Sequence, residues 1–344
     1  MSWDIRKNYF GIYQVNALKL PFFLGKLKLK NNIFYAPLAG CSDLPFRKMS
    51  ALYKPGLIYC EMVKMDALIR HDPTTFRLLD YEKNMHPIGA QICGSKVGIT
   101  KDAARIIEDL GFDTIDLNCG CPVDKVTKDG SGSGLLKYPE VIGEILSEMC
   151  AAVNIPVTVK IRAGWDDDNI NAVEITKIAE MAGAKAITIH GRTRQQAYKG
   201  FADRDIIKEC KQASRDILVV GNGDIFDPES AKHMFDHTGC DAILISRGSM
   251  GAPWIVEDII NFFENRCFDR EKSFIKEQML KHFNFILEYK SERKAVLDMR
   301  RVGCYYLKRY CGVKNLRNMI NKAENALQML QLIEDFDFSE ANLT

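Results

Sequence analysis

A chain of 344 residues, 47% apolar and 27% charged, is long enough to bury one large core and a smaller second one, and it is composed like an ordinary soluble globular protein. No apolar run reaches the roughly 18 to 20 residues that a membrane span needs, and Met1 to Lys30 lacks the basic, apolar, small-residue order of a signal peptide, so a cytoplasmic protein without a membrane partner is expected. The net charge of +2 hides a strongly basic segment, with 15 lysines and arginines against 6 acids between Arg266 and Lys322, which points to a polyanionic partner.

Eleven cysteines, odd in number and without framework spacing, read as reduced thiols rather than a disulfide scaffold. Cys119 and Cys121 lack a second close Cys or His pair, so no metal site is expected.

In chain order, apolar runs of strand length recur eight times: 33–40, 57–63, 87–92, 114–120, 156–161, 186–191, 217–223 and 242–248. Segments of helical period lie between most of them, such as VGITKDAARIIEDLG, VEITKIAEMAG and PESAKHMFDHTG, each closing on a glycine that suits a helix end. Strand alternating with helix implies parallel strands, and eight such units predict an α/β fold, a (β/α)8 TIM barrel. The N-terminal thirty residues are expected to cover its lower end. After Trp254 the pattern turns to long amphipathic helices, four of which fit between about 255 and 336. The predicted division is therefore a barrel domain over 1–254 and a C-terminal all-α helical bundle over 255–344.

The chemistry-bearing residues fall at the ends of the runs: Pro37 to Gly40, Glu61, Gln91, Asn118 with Cys121, Lys160 with Arg162, His190, Asn222 to Asp224, and Arg247. In a barrel those ends converge on one face, where active sites are built. ILVVGNGDI and DAILISRGSMG supply glycines and free backbone N–H groups after the seventh and eighth strands, which fits a phosphate site with Arg247 as a charged fork, or else ordinary turn chemistry. A lysine buried at Lys160 requires a partner, either an anionic ligand or a ring with electron-rich oxygens, or else a salt bridge with Asp116 or Glu61. Lysine, histidine, two amides and a phosphate site on one face suit a flat, polar-edged cofactor monophosphate, a description that flavin mononucleotide satisfies.

In LNCGCPVDK, Leu117 to Lys125, Cys121 stands beyond the fourth strand. A free thiol of ordinary pKa, about 8.5, is mostly protonated at neutral pH and can donate a proton beside a flavin that delivers hydride to one carbon of a double bond. The competing reading for each cysteine is inert packing, and it is the one preferred for Cys119.

These residues resemble a known family. LNCGCPVDKV is similar to the L-N-x-G-C-P-x-x-x-V signature of the FMN-dependent tRNA-dihydrouridine synthases, and APLAGCSDLPFR, CEMV, IGAQICG, VTVKIRAGW, TIHGRTRQQAYKG, GNGDI and SRGSMGAPWI resemble the family's other strand-end motifs in order from Ile33 to Ile255. The tail, YYLKRYCGVKNLRNMINKAENALQMLQLIEDF, looks most like the bacterial B-type branch.

The resemblance implies FMN held by Pro37, Leu38, Ala39, Gln91, Lys160, Asn222, Gly223 and Asp224, with His190 along the ring, Ser246 and Arg247 at the phosphate, and Asn118 near flavin and substrate. It implies reduction of specific uridines in tRNA, with hydride from flavin N5 to C6 and a proton from Cys121 to C5. NADPH is implied as a transient electron donor, since no dinucleotide-binding fingerprint follows the first strand. The uridine must be turned out of the folded tRNA. Contacts to tRNA are expected from Arg162, Arg192 and Arg194 on the barrel and from Lys290, Arg293, Arg300 and Arg301 on the tail, in a chain expected to be monomeric.

Two rivals stand beside this reading. One is an FMN barrel acting on a free pyrimidine, like a dihydroorotate dehydrogenase, which has no need of a basic 57-residue segment. The other is a tRNA-binding protein whose barrel has lost catalysis, which predicts a damaged Cys121 or flavin site, whereas both are intact in the sequence.

Overall fold

The computed structural model describes residues 17–343 apart from 268, 272, 339 and 340. A short antiparallel hairpin, β1 (Phe22–Leu24) and β2 (Leu27–Leu29), precedes eight parallel strands: β3 (Ile33–Tyr35), β4 (Leu57–Lys64), β5 (Ile88–Cys93), β6 (Thr114–Cys119), β7 (Val157–Arg162), β8 (Ala186–His190), β9 (Leu218–Asn222) and β10 (Ala242–Ile245). Each pairs with its sequence neighbour, and β10 closes on β3 through Ile243 opposite Ile33 and Ile245 opposite Tyr35. The expected (β/α)8 barrel is the observed fold.

Alternation along the strands gives the barrel two apolar layers. Ile33 and Tyr35 point outward into the core shared with the surrounding helices, whereas Phe34 points inward with Leu57, Tyr59, Val220 and Leu244. The outer layer is covered by helices that include Thr100–Asp109, Ala172–Met181 and Pro228–Thr238, where helical periodicity placed them. From the hairpin, Phe22, Leu24 and Leu29 join the inner cluster. Its turn lies near Pro156 and Lys185, which precede β7 and β8, so the hairpin plugs the N-terminal end of the barrel and leaves the C-terminal end open. The lower-end cover expected of the N-terminal segment is thus seen for residues 17–30, and residues 1–16 lie outside the described residues.

Beyond the barrel the described residues form five helices where four were expected. The first, Ile255–Phe263, buries Ile255, Val256 and Ile259 in the barrel's outer core and acts as its eighth helix. The others, Phe274–Tyr289, Glu292–Leu307, Lys314–Ile320 and Ala326–Glu334, enclose a separate core around Met279, Phe283, Met299, Tyr306, Leu316 and Ile333. Trp254 belongs to that second core, edge-on to Phe274 at 4.9 Å and tilted against Tyr306 at 6.0 Å. Among the described residues no helix is long and apolar enough to cross a membrane.

Leu24 is fully buried in the plug, so Leu24→Ala should cost about 2–5 kcal/mol of unfolding free energy, read as a lower urea midpoint at unchanged slope.

Candidate active site

The open end of the barrel holds a cavity of about 480 Å³, within the size range of small-molecule sites. Pro37, Leu38 and Ala39 wall one side, Gln91, Asn118 and Cys121 the next, then Lys160, Arg162 and His190, and finally Asn222, Gly223, Asp224, Ser246 and Arg247. Residues far apart in sequence therefore meet because parallel strands all end on the same face.

A chain of side-chain hydrogen bonds fixes the second wall. Asn118 Oδ1 accepts the backbone N–H of Cys121 at 2.9 Å and of Gly120 at 3.2 Å, while its Nδ2 donates to Gln91 Oε1 at 2.7 Å. Gln91 Nε2 in turn donates to Asp116 Oδ2 at 2.7 Å, and Thr158 Oγ1 to Asp116 Oδ1 at 2.6 Å. From the other side Ser133 gives both its N–H and its hydroxyl to the Cys121 carbonyl, at 3.1 and 2.9 Å. The turn bearing the thiol is held at both its amide and its carbonyl, leaving the side chain half-buried at the cavity wall. Cys119 points away into the outer core.

Lys160 reaches the cavity from β7, and among the described residues its ammonium has neither an acidic nor a hydrogen-bond partner. The salt bridge considered for it is not made: Asp116 gives its oxygens to Gln91 and Thr158, and Glu61 accepts the Gly40 N–H. Burial and the neighbouring Arg162 charge push the Lys160 pKa down to about 8, against a weaker pull from Asp116. Burial, with Lys160, Arg162 and Arg192 around it, holds His190 well below the usual imidazole range, so the ring is neutral, and its Nε2 lies 3.3 Å from Arg192 Nη1.

Asp224 organises the remaining wall. Its carboxylate takes two hydrogen bonds from Arg192, at 3.0 and 2.7 Å, one from Arg247 at 3.1 Å and one from the Ala202 N–H at 2.9 Å. Burial works to raise its pKa, but those donors outweigh it and hold the group below the ordinary carboxylate range. The preceding Gly223 has φ +123°, and a Cβ there would lie 2.5 Å from Ala202 Cβ and 3.0 Å from the His190 ring, so only glycine fits this close approach. Asn222 Nδ2 ties β9 to β10 through Leu244 O at 2.6 Å and Ser246 Oγ at 3.0 Å. The backbone at Ser246 has a negative φ of −102°, so the position does not call for the left-handed conformation that favours glycine.

The other expected contact residues are placed differently. Arg162 is buried and donates to the carbonyls of Gly120, Thr193 and Ala197. Arg192 is buried on Asp224, and Arg194 pairs with Asp124 while stacking on Trp165. On the tail, Lys290 bridges Asp43 and Asp298, Arg300 donates to Ala323 O, and Arg301 donates to Gly40 O. Arg293 is exposed with no ion pair among the described residues.

Two aromatic residues that sequence reasoning left unassigned flank Arg247 at the cavity mouth, Tyr198 at 4.8 Å and Phe226 at 5.5 Å. Their only sequence signal is an aromatic residue a few positions past a strand-end motif. Among the described residues no group of three or more His, Cys, Asp or Glu could hold a metal ion.

The sequence model of the dihydrouridine synthase (Dus) family matches residues 34–341. The chain belongs to the dihydrouridine synthase family. It is 37% identical over 315 residues to the tRNA-dihydrouridine synthase B of Vibrio parahaemolyticus, covering 91% of this chain and 98% of that protein. It is 36% identical over 318 residues to a probable tRNA-dihydrouridine synthase 1 of Synechocystis, covering 91% and 88%. Among solved structures, the histamine dehydrogenase of Rhizobium superposes with a TM-score of 0.53 at 15% identity, and a 2-naphthoyl-CoA reductase with 0.54 at 14%. The chain covers about half of each, 50% and 52%, and the likeness is one of fold.

In this dihydrouridine synthase family member the unpartnered lysine has a measurable signature. With its pKa near 8 in the folded state and about 10.4 unfolded, Lys160 binds fewer protons folded than unfolded between those values, so its burial penalises folding at neutral pH and the penalty fades as pH rises from 8 to 10. Thermal melts of ligand-free protein should show Lys160→Met more stable than the parent at pH 7 by on the order of 2–3 kcal/mol, with the gap closing toward pH 10.

Proposed function

We propose that this chain reduces the C5=C6 bond of uridines in tRNA, with FMN as the bound cofactor and NADPH as the transient reductant. One cavity holds both the unpartnered ammonium of Lys160 and the half-buried thiol of Cys121, and that pairing is the observation that carries the reading. The residues present fit an FMN. An ammonium without an ion pair is offered an electron-rich ring edge, and the glycine at 223 lets the backbone pack directly against Ala202 and the His190 ring. Ser246 and Arg247, on the cavity wall, are assigned to the FMN phosphate, and Pro37 to Ala39 and His190 to its ring.

When bound, the flavin supplies hydride for uracil C6. The chain's own part is to exclude water, to orient the base and to deliver a proton. Gln91 and Asn118 are locked in one amide orientation by Asp116, which aligns them for polar edges in the cavity. Cys121 is assigned the proton for C5, and the bonds at its amide and carbonyl keep its thiol at one place along the wall. Neutral His190 adds no charge to an already cationic pocket.

The uridine reaches this depth only when turned out of the RNA. Backbone phosphate is assigned to exposed cations: Arg293, Lys294, Lys308, Lys314 and Lys322 on the helical unit, and Lys125 and Lys128 just past the Cys121 turn. Lys290, Arg300 and Arg301 are assigned to holding that unit together and to the barrel. The division of labour then falls after Phe263, with the barrel carrying chemistry and the helices from Phe274 onward carrying tRNA. Against the free-pyrimidine rival, the family match runs on through the helical unit to residue 341.

Cys121→Ala should lower dihydrouridine formation about 10²- to 10⁴-fold, measured by nucleoside analysis of reacted tRNA, while flavin stays bound; unchanged turnover would remove the thiol from the reaction. Arg293→Ala with Lys294→Ala should weaken tRNA binding and flatten its salt dependence by roughly 0.7 to 0.9 for each phosphate no longer neutralised, whereas Arg300→Ala should leave the slope unchanged.

A further inference from the structure

The two loops that bracket the cavity, 37–41 after β3 and 246–251 after β10, are both held from outside the barrel by the same helix, Glu292–Leu307, and the residues at its end. Arg301 Nη1 donates to the carbonyl of Gly40 and lies 3.2 Å from Cys41 Sγ, while Glu61 takes the N–H of the same Gly40 from the barrel side. That residue is gripped at both its N–H and its carbonyl by residues of two different units. Two positions past the helix, Arg309 Nη2 donates to Phe226 O at 2.8 Å and Gly248 O at 3.0 Å. One guanidinium thus joins the loop after β9 to the turn after β10. Between these clamps, Gly251 lies so close to the helix that a Cβ would stand 2.3 Å from the backbone carbonyl carbon of Tyr305.

We infer that Arg301 and Arg309 are positioning residues of the flavin site, through which the helical unit completes the barrel's cofactor loops: Arg309 shapes the phosphate end and Arg301 the ring end. This rests on the FMN reading above. Both bonds leave one nitrogen, Nη2, whose two N–H groups are fixed in the guanidinium plane and so hold the spacing of two carbonyls on separate loops, whereas the hydrogens of an ammonium rotate about their bond. Arg301 acts on Gly40, whose loop supplies Pro37, Leu38 and Ala39 to the cavity. Neither residue lines the cavity, so neither touches the cofactor itself. The positive charge of the tail therefore serves two purposes, and these two arginines belong to the cofactor site rather than to the RNA surface.

The test uses full-length protein stripped of flavin and titrated with FMN and with riboflavin, which lacks the phosphate, well below the melting temperature. Arg309→Ala should weaken FMN by roughly 10- to 100-fold with little effect on riboflavin, so that the preference for FMN collapses. Arg309→Lys, which keeps the charge and guards against a folding defect, should show the same loss of preference to a smaller degree. Arg301→Ala should weaken both ligands by a similar factor, and the slope of log tRNA affinity against log salt should match the parent for both alanine variants. Equal FMN affinity in the parent and in Arg309→Ala, or an equal loss for FMN and riboflavin there, would overturn the assignment, as would a slope flattened by about 0.7 to 0.9, the mark of one phosphate that is no longer neutralised. Failure of the parent to bind FMN would instead overturn the cofactor reading.

Discussion

The side-chain amide of Asn118 is the joint on which the reactive wall depends. Its oxygen holds the amide N–H of Cys121 and its nitrogen enters the buried chain through Gln91 to Asp116 and Thr158. An amide can do this because it carries an acceptor and donors on one rigid plane. A carboxylate at the same position would face Gln91 Oε1 with an acceptor and leave one of the two unsatisfied. Burial pushes Asp116 up to about 6 against the pull of Gln91 and Thr158, so at neutral pH the chain ends on an acceptor and its direction is set. The thiol's position in the fourth loop is thereby coupled to side chains on three neighbouring strands.

Electrostatics divides the rest of the pocket in two. At one end Arg192 and Arg247 share the single carboxylate of Asp224, which offsets one of their two positive charges. In the middle Lys160 makes no ion pair, and burial with the Arg162 charge lowers its pKa to about 8 against a weaker pull from Asp116. Under the proposed function, the electron-rich edge of the bound ligand supplies what the protein does not. The helical unit bears on the same design from outside, because its long second helix contacts the two loops that close over the cavity.

Much of this was legible in the sequence, and the exceptions share a physical origin. Eight apolar runs became eight strands, but the runs overshoot: the first extends over 33–40, whereas β3 ends at Tyr35, since Pro37 has no N–H to donate and the chain turns at Leu38 to Ser42. The overshoot is the loop that walls one side of the cavity. Chemistry-bearing residues at strand ends were found because a barrel's topology sends them to one face whatever their separation in sequence. The basic tail was harder, since a count of lysines and arginines does not distinguish one on an internal carbonyl from one in water. Arg301 meets Gly40 across 261 positions and Lys290 meets Asp43 across 247, whereas Arg293, between them in sequence, faces solvent. The eighth barrel helix was likewise merged with the tail, because amphipathic periodicity reports a buried face without saying which core it joins.

The most direct measurement is anaerobic absorption spectroscopy of the flavin-loaded protein, reduced with NADPH and then mixed with tRNA that lacks the modification. The account predicts that the oxidised flavin bands bleach with NADPH and return on adding the unmodified tRNA, but not with free uridine or orotate. Bands that return with a free pyrimidine and not with tRNA would contradict it.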